Sequence, residues 1–220
     1  LIQVVVIIGI GLLIGTLLLA RLHGLQLAQQ RGLTLVHPYD DLEVMAGQGS
    51  IALEMLAAQP DIDTLVVAVG GGGLIAGIAA YVKYLRPQVR IIGVESEHSA
   101  CLSAALEVGE RVVLPSVGTF ADGVAVAQIG AYGFEVCRFC VDEMLTVSND
   151  ELCAAIKNIY DDTRSITEPS GALAVAGIKQ YVARSGVREQ TFVAIDSGAN
   201  INFDSLRHVA ERAAACGAPA

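Results

Sequence analysis

Lysine is nearly missing from this chain, with only Lys83, Lys157 and Lys179 in 220 residues. Asp and Glu outnumber Lys and Arg by 23 to 14, giving a net charge of −9, and no basic stripe runs along any segment. A nucleic-acid partner, which needs clustered cations, is therefore not expected. Charge of either sign is scarce at 17%, against an apolar share of 53%. The chain thus has the material for one sizeable buried core, or for one and part of another. Internal repeats and low-complexity linkers are absent. So is any paired cysteine pattern: Cys101, Cys137, Cys140, Cys153 and Cys216 are odd in number and scattered. That distribution suits reduced thiols in a cytoplasmic protein rather than a disulfide framework. Cys137 and Cys140 have the spacing of a redox pair, but their flanks read as an amphipathic helix, so packing is expected of them.

The first 20 residues, Leu1 to Ala20, contain no charge at all. Their length and composition just reach the threshold for a membrane span. A basic leader and a small-residue cleavage site are lacking, which argues against a signal peptide. The other reading is a buried strand over Val4 to Ile8, a glycine turn, and a helix from about Thr16 to Gln30 that closes at Arg31-Gly32. A leucine in first position suggests a fragment.

Downstream, helices alternate with short apolar runs. Leu33 to Val36 reads as a short strand and Val44 to Ala58 as a helix. Leu65 to Val69 reads as a strand buried on both faces, Leu74 to Leu85 as a helix, and Val89 to Val94 as the next strand. Helical patterns follow at Ser99–Val108, Tyr132–Val141, Asn149–Asp161 and Gly171–Arg184, and a last strand at Thr191–Ile195. Strand, helix, strand with strong apolar runs predicts an α/β protein with a parallel sheet, whose sites lie at the carboxyl ends of the strands.

Two such ends stand out. Gly70, Gly71, Gly72 and Gly73 join a strand directly to a helix. That junction leaves backbone N–H groups at the positive end of a helix dipole, and glycine lets an anion approach them. A tight turn that binds nothing needs fewer glycines. The other end is Asp196-Ser197-Gly198-Ala199-Asn200, which offers a hydroxyl and an amide on the same edge of the sheet. Together the two loops suit a planar, phosphorylated ligand.

Four segments then occur in a familiar order: Ala46-Gly-Gln-Gly-Ser50, Val69-Gly-Gly-Gly-Gly-Leu74, Glu168-Pro-Ser-Gly-Ala172 and Ser197-Gly-Ala-Asn-Ile-Asn202. In these the chain resembles the threonine dehydratases, pyridoxal-phosphate enzymes of the tryptophan-synthase-β-like fold (fold type II). Asp122 to Val126 and Leu206 to Arg212 resemble the biosynthetic branch, which makes 2-oxobutanoate for isoleucine. The resemblance runs from about Leu27 to Arg212. It implies a three-layer parallel α/β fold truncated on its N-terminal side, with residues 1–45 a remnant of a small domain, 46–212 the cofactor-binding domain and 213–220 a tail. It also implies pyridoxal 5'-phosphate as cofactor, a small amino acid as substrate and a homo-oligomer. By the same resemblance Gly70 to Gly73 and the Leu74 amide cradle the cofactor phosphate, and Ser197 meets the pyridine nitrogen. Glu168 stands near the cofactor edge, where it assists proton traffic; the competing reading makes it a carboxylate that stabilises a helix start.

The departures matter equally. The family's Schiff-base lysine segment and its asparagine loop have no counterpart in this chain, and the three lysines read as solvated helix residues. The chain alone is therefore expected to be inactive. Some relatives hold a divalent cation with a glutamate after the second strand and a carboxylate six residues on. Glu95 fills the first position, but Cys101 fills the other, so no metal is expected. Two rival readings remain. One is a dinucleotide-binding fold using Gly71, Gly73 and Gly77, with Glu95 on the ribose. The other is a non-catalytic interaction module that keeps the phosphate loop, tethered to a membrane through Leu1–Ala20.

Overall fold

The computed structural model describes residues 13–215, in two compact units divided between His37 and Pro38. The first unit contains one helix, α1 (Leu13–Arg31). It ends where the sequence places a basic residue and a glycine: Gly32 takes φ +62°, and the Leu33 N–H turns back to the Ala28 carbonyl at 2.9 Å. Among the described residues no helix is long and apolar enough to cross a membrane. The strand expected over Val4–Ile8 lies outside the described residues, as does most of the charge-free segment Leu1–Ala20. The strand expected over Leu33–Val36 is not formed. Leu33, Leu35 and Val36 are all exposed and pair with no strand among the described residues, and an apolar run without a partner has nothing to hold it extended.

The second unit opens with α2 (Leu42–Ala58), capped by Asp41, whose carboxylate accepts from the Glu43 and Val44 N–H groups at 2.9 and 3.1 Å. Then come β1 (Thr64–Ala68), α3 (Gly73–Leu85), β2 (Arg90–Ser96) and α4 (Cys101–Val108). After a short 3₁₀ turn at Asp122–Val124 follow α5 (Ala131–Cys140), β3 (Glu143–Val147), α6 (Asn149–Thr163), α7 (Leu173–Ser185), β4 (Phe192–Ala194) and α8 (Ser205–Ala215). Strand β3 was not legible as a strand. It is an edge strand of mixed burial, and its Glu-Met-Leu-Thr-Val sequence has no uninterrupted apolar run.

All pairings are parallel, in the order β3-β2-β1-β4. The strict alternation of side chains along a strand divides the core in two. Leu65, Val67 and Val69 join Ile91 against α2, α3, α4 and α5 on one face. Val66, Ala68, Ile92 and Val94 pack with α6, α7 and α8 on the other. Three layers result, helices on both sides of a parallel sheet, as the sequence predicts. Close helix packing requires Gly77, since a Cβ there would collide with the Met45 carbonyl of α2.

The order of strands places the site. β1 lies beside β4, in register from Thr64 opposite Phe192 to Val66 opposite Ala194. Their carboxyl ends are therefore neighbours, and the glycine loop and the Ser197 loop leave the sheet side by side.

Candidate active site

The glycine loop is the first wall. An α-helix leaves its first N–H groups without partners inside the helix, and α3 has no side-chain cap. Gly72, its N-cap, takes φ +89°, a conformation that side-chain-bearing residues rarely adopt. At Gly71 the constraint is different. A Cβ there would fall inside the ring of Tyr39, and one at Gly73 would meet the Tyr39 backbone. Glycine was expected at these positions to admit an anion; the structure adds that Tyr39 packs directly against the loop. The sequence signal for Tyr39, a His-Pro-Tyr-Asp-Asp stretch, reads only as a turn. Its neighbour Asp40 caps α5, accepting from the Ala131 and Tyr132 N–H groups at 2.8 and 2.9 Å.

The second wall comes from the segments before α7 and after β4. Glu168 is half-buried, and its Oε2 accepts from the Asn200 N–H at 2.9 Å. The carboxylate thus faces the neighbouring loop; α7 begins at Leu173 and has no side-chain cap. Ser197 is exposed on its loop. Ser170 is only 3% exposed, and its hydroxyl has no hydrogen-bond partner.

Between the walls lies a cavity of about 330 Å³. Gly70, Gly71, Gly72, Gly73, Leu74, Glu168 and Ser197 all line it, whereas Asn200, whose amide the sequence also offered, does not. Tyr39, Gln48, Val124 and Ser170 line it too. Gln48 and Ser170 belong to segments quoted above, which is where a signal for them existed. Among the described residues no lysine or arginine lines the cavity. An anion there would be held by N–H groups and the α3 dipole alone.

The lysines are engaged elsewhere. Lys83 is not simply solvated: its ammonium donates to the Val89 carbonyl at 2.9 Å and to Asp142 at 2.7 Å. Lys157 pairs with Asp161, and Lys179 donates to Asn158.

Glu95 is completely buried and fully used. It accepts from the Leu102 N–H at 2.7 Å, the Ser103 N–H at 2.9 Å and the Ser103 hydroxyl at 2.6 Å, so it caps α4, whose own N-cap is Ala100. Burial pushes its carboxyl above the ordinary range, against the pull of those hydrogen bonds. A carboxylate so enclosed is unavailable to a ribose, which removes the feature the dinucleotide reading needs. Among the described residues no cluster of three or more His, Cys, Asp or Glu side chains is placed to hold a metal. Cys101 points its thiol at the Gly70 carbonyl, 3.4 Å away, and burial together with the Glu95 charge raises it to about 12. Burial likewise raises Cys137 and Cys140 on α5, so neither is the activated thiol a redox pair requires.

A family model described as pyridoxal-phosphate dependent enzyme matches residues 15–198. The chain belongs to that family. It is 54% identical over 192 residues to the L-threonine dehydratase biosynthetic IlvA of Burkholderia multivorans, and 49% over 193 residues to that of Escherichia coli. These matches cover 87% and 88% of the chain, which spans 38% of the length of each relative. Among solved structures it is similar to the processed form of threonine deaminase isoform 2 from Solanum lycopersicum. The TM-score is 0.86 at 44% identity, covering 88% of this chain and 53% of that one. The fold is the tryptophan-synthase-β-like fold, fold type II, whose enzymes use pyridoxal phosphate.

The residues present suit that cofactor. The uncapped N-terminus of α3 offers donors for a phosphate. The Ser170 hydroxyl, buried and without a hydrogen-bond partner, belongs to a residue that lines the same cavity.

Proposed function

We propose that this chain is the cofactor-binding part of a biosynthetic threonine dehydratase, a threonine ammonia-lyase that converts L-threonine to 2-oxobutanoate and ammonia. The observation that carries the proposal is convergence: three segments far apart in sequence line one cavity where two adjacent parallel strands end. Relatives about half identical to the chain carry that activity in their names. When bound, pyridoxal phosphate supplies an electron sink for charge developing at the amino-acid Cα.

The protein's own contributions follow from the two walls. The amides from Gly70 to Leu74 would hold the phosphate and so set the register of the ring. Ser197 would present a neutral hydroxyl to the ring nitrogen. A hydroxyl, unlike a carboxylate, would leave that nitrogen mostly unprotonated, and the group would then supply a weaker electron sink, suited to loss of a β-hydroxyl. Glu168, steered by the Asn200 N–H and open to the cavity, is positioned to carry a proton at the ring's edge.

The same reading places the cofactor domain in a cytoplasmic homo-oligomer. A second reading, a non-catalytic module, is favoured by one observation: none of the three lysines lines the cavity. The chain should therefore bind pyridoxamine 5'-phosphate, which has no aldehyde to react with stray amines, and release no keto acid from threonine and pyridoxal phosphate. Turnover well above that of free cofactor would refute the assigned role of an absent lysine. Failure to bind would refute the cofactor site.

A further inference from the structure

Ser197 sits in a precarious place for a residue that must hold a ring nitrogen. β4 is only three residues long, and the loop after it has no regular structure. Asp196 and Ser197 are both exposed. Yet the residues on either side of Ser197 are tied down, and the ties lead to one buried side chain. Thr167 is fully buried, and its hydroxyl oxygen stands 2.6 Å from Asp196 Oδ1 and 2.8 Å from the Gly198 carbonyl oxygen.

A threonine hydroxyl has one hydrogen to donate. The shorter contact, to a carboxylate, is the charge-assisted one and takes it. The Gly198 carbonyl has its own donor, the Glu168 N–H at 3.0 Å. Beyond it the Asn200 N–H donates to Glu168 Oε2 at 2.9 Å. Residues 196, 198 and 200 are thus stitched in turn to Thr167 and Glu168, and Ser197 is the residue spanned by the first two stitches. A Cβ at Gly171 would run into the Gly198 carbonyl, the Thr167 hydroxyl and the Asp196 carboxylate together.

We propose that Thr167 is a positioning residue for the cofactor ring: its hydroxyl, by holding Asp196 next to the Gly198 carbonyl that the Glu168 N–H fixes, keeps the Ser197 hydroxyl over the cavity. This rests on the cofactor reading of the site. It adds a residue that touches no ligand and lies outside the motifs that carry the resemblance. It also gives Glu168 and Ser197 a common support, since both stitched strands of chain end at the cavity wall.

The test uses Thr167→Val, which keeps the side chain's volume and removes the donor. Asp196 is exposed, so its freed carboxylate regains water and the variant should fold. Pyridoxamine 5'-phosphate affinity, read by fluorescence, should weaken about tenfold, the cost of about one well-made hydrogen bond. Affinity for inorganic phosphate, which needs only the glycine loop, should stay within about twofold. Thr167→Ser should restore binding, and in a Ser197→Ala background Thr167→Val should have no further effect, because the positioned group is gone. Should Thr167→Val fail to fold, Asp196→Ala cuts the same stitch from the exposed side, and a several-fold loss is expected. Unchanged ring affinity in the folded variant, or an equal loss of phosphate affinity, would overturn the positioning role while leaving the cofactor site standing. Absence of pyridoxamine phosphate binding by the unsubstituted chain would overturn the site reading, and this inference with it.

Discussion

On one wall of the cavity Gly71, Gly72 and Gly73 are buried, pressed against Tyr39 and Ile129 and continuous with a strand in which every residue is buried. On the other wall Ser197 is exposed, at the end of a three-residue strand whose residues are only half-buried. The first wall is part of the core, and its shape is fixed by close packing. The second is held by individual hydrogen bonds from Thr167, Glu168 and Asn200. A phosphate end built into the core and a ring end held by side chains should respond to substitution in different ways. Damage to the first should cost fold and anion binding together. Damage to the second should cost ring recognition alone.

The largest effect is expected at Gly71. Gly71→Ala drives a methyl into the Tyr39 ring, and overpacking of this kind costs about 1–3 kcal/mol. Denaturant unfolding should show that loss, and phosphate and pyridoxamine phosphate binding should fall together. A stable variant that still binds both would show that the wall is not core-built.

Next comes Glu95, the buried cap of α4. Glu95→Gln replaces an acceptor with a donor facing the Ser103 N–H, and an unmet buried polar group costs about 1–3 kcal/mol. The pH dependence should change as well. The Glu95 carboxyl is raised in the folded state, so its contribution is fully present below the unfolded value of 4.5. It is lost as pH rises through the folded value. The Gln variant should lack that decline.

Ser170→Ala sharpens the comparison from the ring side. Removing a buried hydroxyl with no partner should leave stability within about 0.5 kcal/mol, or raise it slightly. The same change should weaken pyridoxamine phosphate binding about fivefold, a split that calorimetry and thermal unfolding together would detect.

The smallest effect belongs to Glu143 on β3, far from either wall. Burial alone would raise its carboxyl, but hydrogen bonds from Arg90 and Arg184 outweigh burial and hold it low. Its contribution is present above the unfolded value and lost as pH falls through the folded one. Because Arg90 and Arg184 are both exposed, Glu143→Gln should cost no more than about 1 kcal/mol and leave ligand binding untouched.

The core-built wall was also the more legible one. An unbroken β-branched run, four glycines and a long apolar helix read directly as β1, the loop and α3. What packs against the loop was not legible, because Tyr39 lies in a turn whose residues announce only the turn. The second wall was readable through its motifs but not through its physics. Thr167 looks like an ordinary residue before Glu168, and only folding brings it to Asp196, 29 positions away. Edge elements misled in both directions. Leu33–Val36 has strand composition but no partner, whereas Glu143–Val147 has weak strand composition and gains its identity from pairing with β2. Composition reports what a segment prefers; a parallel sheet is decided by what lies beside it.

The central claim is that the two walls hold opposite ends of one cofactor. A crystal structure of the chain with pyridoxamine 5'-phosphate tests it most directly. The account predicts the phosphate on the amides of Gly70 to Leu74, with the ring nitrogen within hydrogen-bond reach of Ser197. A phosphate bound away from the glycine loop, or a ring turned from Ser197 in the intact chain, would contradict it.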